Sequence, residues 1–136
     1  MITTTKSVTF DSAHRLPQHK GLCSNIHGHT YKLQATVNCP EFLDFADLKQ
    51  ALVKVANVYD HTLIFNETDP VYQEMRKHDA IVENCQIVLL DVDPTAENMT
   101  GMMAERLQHH LDAHGATVIK VDLWETPTSF ATWRKD

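Results

Sequence analysis

Residues 10–37 constrain the fold more than any other stretch. From His27 to Val37 the odd positions read His27, His29, Tyr31, Leu33, Ala35 and Val37, and the even ones Gly28, Thr30, Lys32, Gln34 and Thr36. Strict alternation of this kind is the period of a strand with one buried face. His27 and His29 therefore lie side by side at one end of that face, roughly 7 Å apart at Cα. Upstream, Val8, Phe10, Ser12 and His14 share a parity opposite Ser7, Thr9 and Asp11, which places His14 at the end of the apolar face of a neighbouring strand. Gly28, between the two histidines, suits a backbone that a ligand or another chain approaches closely.

Three imidazoles at the rim of one apolar surface are a donor set for a zinc ion that leaves a fourth position open, as a catalytic site requires. Cys23, four residues before His27 in a glycine-containing loop, belongs beside such an ion. Its thiolate would serve as a base or nucleophile there, or would close a structural Cys-His₃ site as fourth ligand; spacing alone leaves both readings open. Asp60 and His61 join a carboxylate to an imidazole just past a helix end, the makings of an acid–base pair. Thr117, Ile119, Val121, Leu123 and Glu125 read as one face of a late strand, so the Glu125 carboxylate ends an apolar row and needs a partner, which a ligand NH group would supply.

The remainder reads as α+β. A first strand is expected over residues 2–11, a loop over 15–24, and a second strand over 26–38. Asp44 is expected to cap a helix with Phe45, Leu48, Leu52, Val55 and Tyr59 on one stripe. Residues 60–66 are read as a loop, and Asp69-Pro70 as the cap and first residue of a short helix to about Lys77. A buried run follows over 87–90. Thr95 caps a second long helix with Met99, Met103, Leu107 and Leu111 on one face and Gly115 as its stop. Two strands close the chain. The expected fold is thus one domain, 1–136, built as a four-stranded antiparallel sheet with two long helices on one face.

Charge and composition exclude several roles. The formal net charge is −6, with no basic stripe, so nucleic acid is not expected as a partner. No apolar run approaches a membrane span and the opening MITTTKSVTF is unlike a signal peptide, so a cytoplasmic protein without membrane contact is expected. Three cysteines, an odd number, are read as free thiols.

The motifs FDSAHRL, CSNIHGHTYKL, LDFADLK, DHTLIFN, PTAEN and WETPTSFA, in this order across nearly the whole chain, resemble the 6-pyruvoyl-tetrahydropterin synthase/6-carboxytetrahydropterin synthase family. The resemblance implies a T-fold whose subunits close a barrel as trimers, two of which stack into a homohexamer with sites between subunits. Short bacterial members mostly make 6-carboxy-5,6,7,8-tetrahydropterin from 7,8-dihydroneopterin triphosphate, releasing acetaldehyde and triphosphate, in queuosine (7-deazapurine) biosynthesis. By resemblance His14, His27 and His29 are Zn²⁺ ligands and Cys23 the proton-abstracting thiolate. Asp60 and His61 form a relay pair lent by a neighbouring subunit, Glu125 anchors the pterin and joins the relay, and Thr95 and Glu97 give a second polar contact to the pterin. The alternatives are a 6-pyruvoyl-tetrahydropterin synthase and a non-enzymatic zinc- or pterin-binding protein. Arg15, His19, Lys20 and Lys32 are the nearest cations for the triphosphate. One departure lies before the first helix, where residues 38–43, Asn-Cys-Pro-Glu-Phe-Leu, stand in place of a longer family connection with Gly-Met. Retention of Cys23 argues against the family variant that makes 6-hydroxymethyl-dihydropterin.

Overall fold

The computed structural model describes residues 1–136. Its centre is the antiparallel pair β1 (Thr4–His14) and β2 (His27–Asn38), joined across the sheet from Thr4 opposite Val37 to His14 opposite His27. The alternation does what its period requires: Tyr31, Leu33, Ala35 and Val37 are wholly buried, whereas the intervening residues keep contact with solvent. Strand β1 runs three residues beyond the expected Asp11, so His14 is part of the strand rather than of the loop behind it.

Two helices cover the apolar face. Helix α1 (Phe45–Ala56) starts at Asp44, whose side chain accepts from the Ala46 amide, and buries Leu48, Ala51, Leu52 and Val55. Phe45 does not join that stripe and stands half exposed, while Tyr59 reaches the core from the turn after the helix. Helix α4 (Ala96–Leu111) starts at Thr95, whose hydroxyl accepts from the Asn98 amide, and buries Met99, Met103, Leu107 and Leu111. Gly115 takes the left-handed conformation that ends the segment, φ 68°, after one 3₁₀ turn. The two helices pack on each other, on β1 and β2 and on the late strand Thr117–Thr126, giving a continuous core of 23 buried residues.

The sheet is larger than four strands. Residues 60–66 are not all loop: Thr62–Asn66 form β3, which runs parallel to β1, and Ile87–Leu90 form β4, parallel to β3. With β5 (Thr117–Thr126) and β6 (Ser129–Arg134) the order is β4-β3-β1-β2-β5-β6, a mixed six-stranded sheet. The difference from the expected loop has a physical cause, since parallel strands are covered on both faces and show an unbroken apolar run, here Leu63, Ile64 and Phe65, with no alternation. Strand β4 is an edge strand in which only Leu90 is buried, so the expected buried run is mostly surface. The segment between β3 and β4 holds two short helices, α2 (Pro70–Met75) and α3 (Asp79–Asn84), where the sequence suggested one.

Strand β5 departs from its expected parity. The register with β2 slips between Thr36 and Val37, so Val118 replaces Thr117 and Ile119 on the buried face, followed by Val121 and Leu123. A second slip, between Trp124 and Thr126 opposite β6, leaves Glu125 without a cross-strand partner. Bulges re-aim side chains in this way.

Candidate active site

The ends of β1 and β2 bring His14, His27 and His29 together, because His14 pairs directly with His27 and Ser12 with His29. The bulged Glu125 completes the group: the ligand atoms of these four residues all lie within 4.8 Å of one another. Nε2 of His14 stands 3.1 Å from Nε2 of His27, and Oε1 of Glu125 is 3.2 Å from Nε2 of His14 and 2.9 Å from Nε2 of His29.

The outer ring nitrogens settle the tautomers of two of these imidazoles. Nδ1 of His14 faces the Pro94 carbonyl at 2.7 Å, and Nδ1 of His27 faces the Asn25 carbonyl at 2.8 Å. A carbonyl only accepts, so both Nδ1 atoms donate, and each Nε2 faces its neighbours either as a lone pair or, on a charged ring, as a second donor. Positive charge at the centre is what holds such an arrangement, either as protons on the rings or as a metal ion. Nε2 of His29 is buried and makes no hydrogen bond of acceptable geometry, the short distance to Glu125 notwithstanding. Zinc–nitrogen bonds of about 2.0–2.1 Å place tetrahedral donors roughly 3.3 Å apart, close to the 3.1 Å between the Nε2 atoms of His14 and His27. The residues present therefore fit a metal ion, with the carbonyls of Pro94 and Asn25 orienting two of its ligands as outer-shell partners do.

The electrostatics agree. Burial is the main cause that lowers the His29 pKa below the usual histidine value; Glu125 opposes the shift, and His14 and His27 add to it. Glu125 is held below the ordinary carboxylate range first by hydrogen bonding from His14, against the cost of its own burial, with the charges of His14, His29 and His27 assisting. Tyr31, wholly buried beneath the cluster with its hydroxyl 3.3 Å from Nδ1 of His14, has its pKa raised by burial and then by the Glu125 charge, so it stays a neutral phenol.

Asp60 and His61 lie in contact with each other. Oδ2 of Asp60 is 2.9 Å from Nδ1 of His61, and Oδ1 accepts from the Asp11 amide at 2.9 Å. The His61 amide in turn donates to the Asp11 carbonyl, so the turn is fastened to β1 at both residues, and His61 adopts φ 58°. The Asp11 amide, followed by His61, lowers the Asp60 pKa. The imidazole itself is 77% exposed and borders a cleft of about 620 Å³ that also contains His29 and Thr30. Its Nδ1 is taken by Asp60, which leaves Nε2 free to move a proton.

Cys23 lies half-buried in a 3₁₀ turn, Leu22–Ser24, and is not among the four clustered donors; the fourth is Glu125. Thr95 is engaged in capping α4, next to the Pro94 carbonyl that orients His14, and Glu97 is exposed on the first turn of that helix. A second cleft, about 530 Å³, contains Gly28, His29, Lys32, Trp124 and Glu125, with the Lys32 ammonium 4.3 Å above the Trp124 ring. The two orienting carbonyls and the ion pair of Arg15 with Asp69 were not read from the sequence. The first are backbone groups with no residue signature, and the second joins residues 54 positions apart.

The family pattern described as 6-pyruvoyl tetrahydropterin synthase matches residues 3–136. The chain belongs to this family. A family member from Haemophilus influenzae, named 6-carboxy-5,6,7,8-tetrahydropterin synthase, is 32% identical over 147 aligned positions that cover 99% of this chain and all of that protein. The protein of the same name from Aquifex aeolicus is 32% identical over 84% of this chain and 76% of its own length. Among solved structures, an uncharacterised protein from Wolinella succinogenes superposes with a TM-score of 0.86 at 20% identity, covering 99% of this chain and 98% of that one. The Caenorhabditis elegans 6-pyruvoyl tetrahydropterin synthase superposes with a TM-score of 0.69 at 22% identity, covering 99% and 96%. The family's α+β architecture is thus that of the present chain, and the His/Glu cluster is its candidate metal site.

Proposed function

We propose that this protein is a zinc-dependent 6-carboxy-5,6,7,8-tetrahydropterin synthase that converts 7,8-dihydroneopterin triphosphate to 6-carboxytetrahydropterin, acetaldehyde and triphosphate in queuosine biosynthesis. The observation that carries the reading is the meeting of His14, His27 and His29 around one point beside a cleft, in a chain similar along most of its length to proteins that bear that name. Zinc held by the three imidazoles supplies Lewis-acid polarisation of the substrate's side-chain hydroxyls.

The chain's own residues do the remainder. Cys23, as a thiolate, takes a proton from the substrate side chain. His61 moves a proton at Nε2 while Asp60 fixes its tautomer through Nδ1. Glu125, on the cleft that contains His29 and Lys32, accepts from the NH groups of the pterin, and Glu97 with Thr95 supplies the second polar contact. Of the four cations considered for the triphosphate, Lys32 is the one beside His29 and Glu125, whereas Arg15 is engaged by Asp69 and the Ser24 carbonyl.

The assembly we propose is a hexamer of two trimers in which His61 serves a neighbouring subunit's site. Two observations favour it: His61 projects outward from its own fold, and both sheet edges, β4 and β6, are unpaired, with Leu89 and Phe130 exposed on them. No helix is long and apolar enough to cross a membrane, which is compatible with the cytoplasmic location proposed.

The test is to incubate the zinc-loaded protein with 7,8-dihydroneopterin triphosphate and identify products by mass spectrometry. Acetaldehyde with 6-carboxytetrahydropterin is expected. A 6-pyruvoyl product without acetaldehyde assigns the chain to the other activity of the family, and no turnover sinks the enzymatic reading.

A further inference from the structure

The turn that carries Cys23 is poorly held by packing. It buries no residue, its first position has no side-chain cap, and its neighbour Leu22 is 85% exposed. Hydrogen bonds to the end of β1 hold it instead. The Leu16 amide donates to the Cys23 carbonyl at 2.9 Å and Nε of Arg15 donates to the Ser24 carbonyl at 2.8 Å, so consecutive carbonyls of the turn are tied to the two residues that follow His14. Nη1 of the same guanidinium is paired with Oδ1 of Asp69. The Asp69 side chain is completely buried; its Oδ1 also accepts from the Val71 amide at 2.9 Å to cap α2, and its Oδ2 has no partner.

A buried carboxylate is rare without a cation, and this one has Arg15. The fork geometry of guanidinium lets one side chain reach both the turn and Asp69, which an ammonium cannot do with the same rigidity. We infer that Arg15 is a positioning residue that braces the Cys23 turn between β1 and α2 and thereby fixes the sulfur relative to the histidine cluster. The inference rests on the reading of Cys23 as the proton-abstracting group. It also removes Arg15 from the candidates for the triphosphate, because its side chain is only 12% exposed and its donors are aimed inward.

The test uses the zinc-loaded full chain with Cys39→Ser and Cys85→Ser, so that Cys23 is the sole thiol. A nitroxide attached to Cys23 reports the mobility of the turn, and unlabelled protein gives kcat and KM. Arg15→Gln is expected to sharpen the nitroxide lines and to lower kcat roughly 100-fold, the scale of a misplacement near 1 Å, with KM and zinc content unchanged. Arg15→Lys, which keeps the charge opposite Asp69, is expected to restore only part of kcat, and it serves as the test variant if Arg15→Gln fails to fold. Adding Asp69→Asn to Arg15→Gln is expected to cost no further kcat, because the brace is lost once. Unchanged nitroxide mobility in Arg15→Gln, or in Arg15→Lys if that is the variant measured, overturns the inference. A rise in KM at constant kcat also overturns it and makes Arg15 a phosphate ligand. If the parent protein shows no turnover, the function proposed above fails while the mobility measurement still decides whether Arg15 holds the turn.

Discussion

Zinc loading should stabilise the fold by an amount that depends on His27 and not on Cys23. On the proposed reading the ion would bind the folded cluster, where the donor atoms already lie within 4.8 Å, and would have no such site in the unfolded chain. With free ion at about a thousand times the dissociation constant, linkage gives about 4 kcal/mol. An unfolding entropy of about 2.1 cal/mol/K per residue over 136 residues converts that gain into a rise of roughly 14 °C in Tm. His27→Ala deletes one of three ring nitrogens and also relieves the 3.1 Å opposition between the Nε2 atoms of His14 and His27. The metal-free variant should therefore unfold within about 3 °C of the parent, by less than about 1 kcal/mol, while its zinc-dependent rise disappears. Cys23→Ala should keep the whole rise. Differential scanning calorimetry with and without a chelator measures all three, and a rise retained by His27→Ala or abolished by Cys23→Ala would refute the reasoning.

Three further outcomes follow from the structure. Leu33→Ala, at a wholly buried position in the central strand, should cost about 2–5 kcal/mol in urea titration without changing the zinc content of the folded fraction. Thr95→Ala removes the cap of α4 and should cost about 1 kcal/mol by the same titration. Because the folded-state pKa of Asp60 is lowered, its contribution to stability is complete above the unfolded value of 3.8 and is lost as pH falls through the folded one. Asp60→Asn should thus be less stable than the parent at neutral pH and lose less stability on acidification below about pH 4, which equilibrium unfolding across that range would show.

The histidine cluster was legible because strand parity is a local property: once β2 alternates, His27 and His29 must share a face with Leu33, and β1 follows the same rule up to His14. The helices were legible through their caps, Asp44 and Thr95, each followed by a clear apolar stripe. Parity failed in β5, because a register slip opposite Thr36 and Val37 is set by how two strands meet and leaves no mark on either one. Glu125 nevertheless reached the expected face, because past the first slip it keeps the parity of the buried Val121 and Leu123. Strand β3 was missed for want of alternation, and with it the parallel half of the sheet. The contacts that orient the site, from the carbonyls of Pro94 and Asn25 and from the Arg15–Asp69 pair, depend on tertiary structure and were out of reach of any local pattern.

The central claim is that three imidazoles hold one metal ion without a sulfur ligand. X-ray absorption at the zinc edge of the loaded protein tests it directly. Three nitrogen neighbours at about 2.0–2.1 Å with oxygen as the remaining donor is the expected result, and a sulfur neighbour at about 2.3 Å, placing Cys23 on the metal, would contradict it.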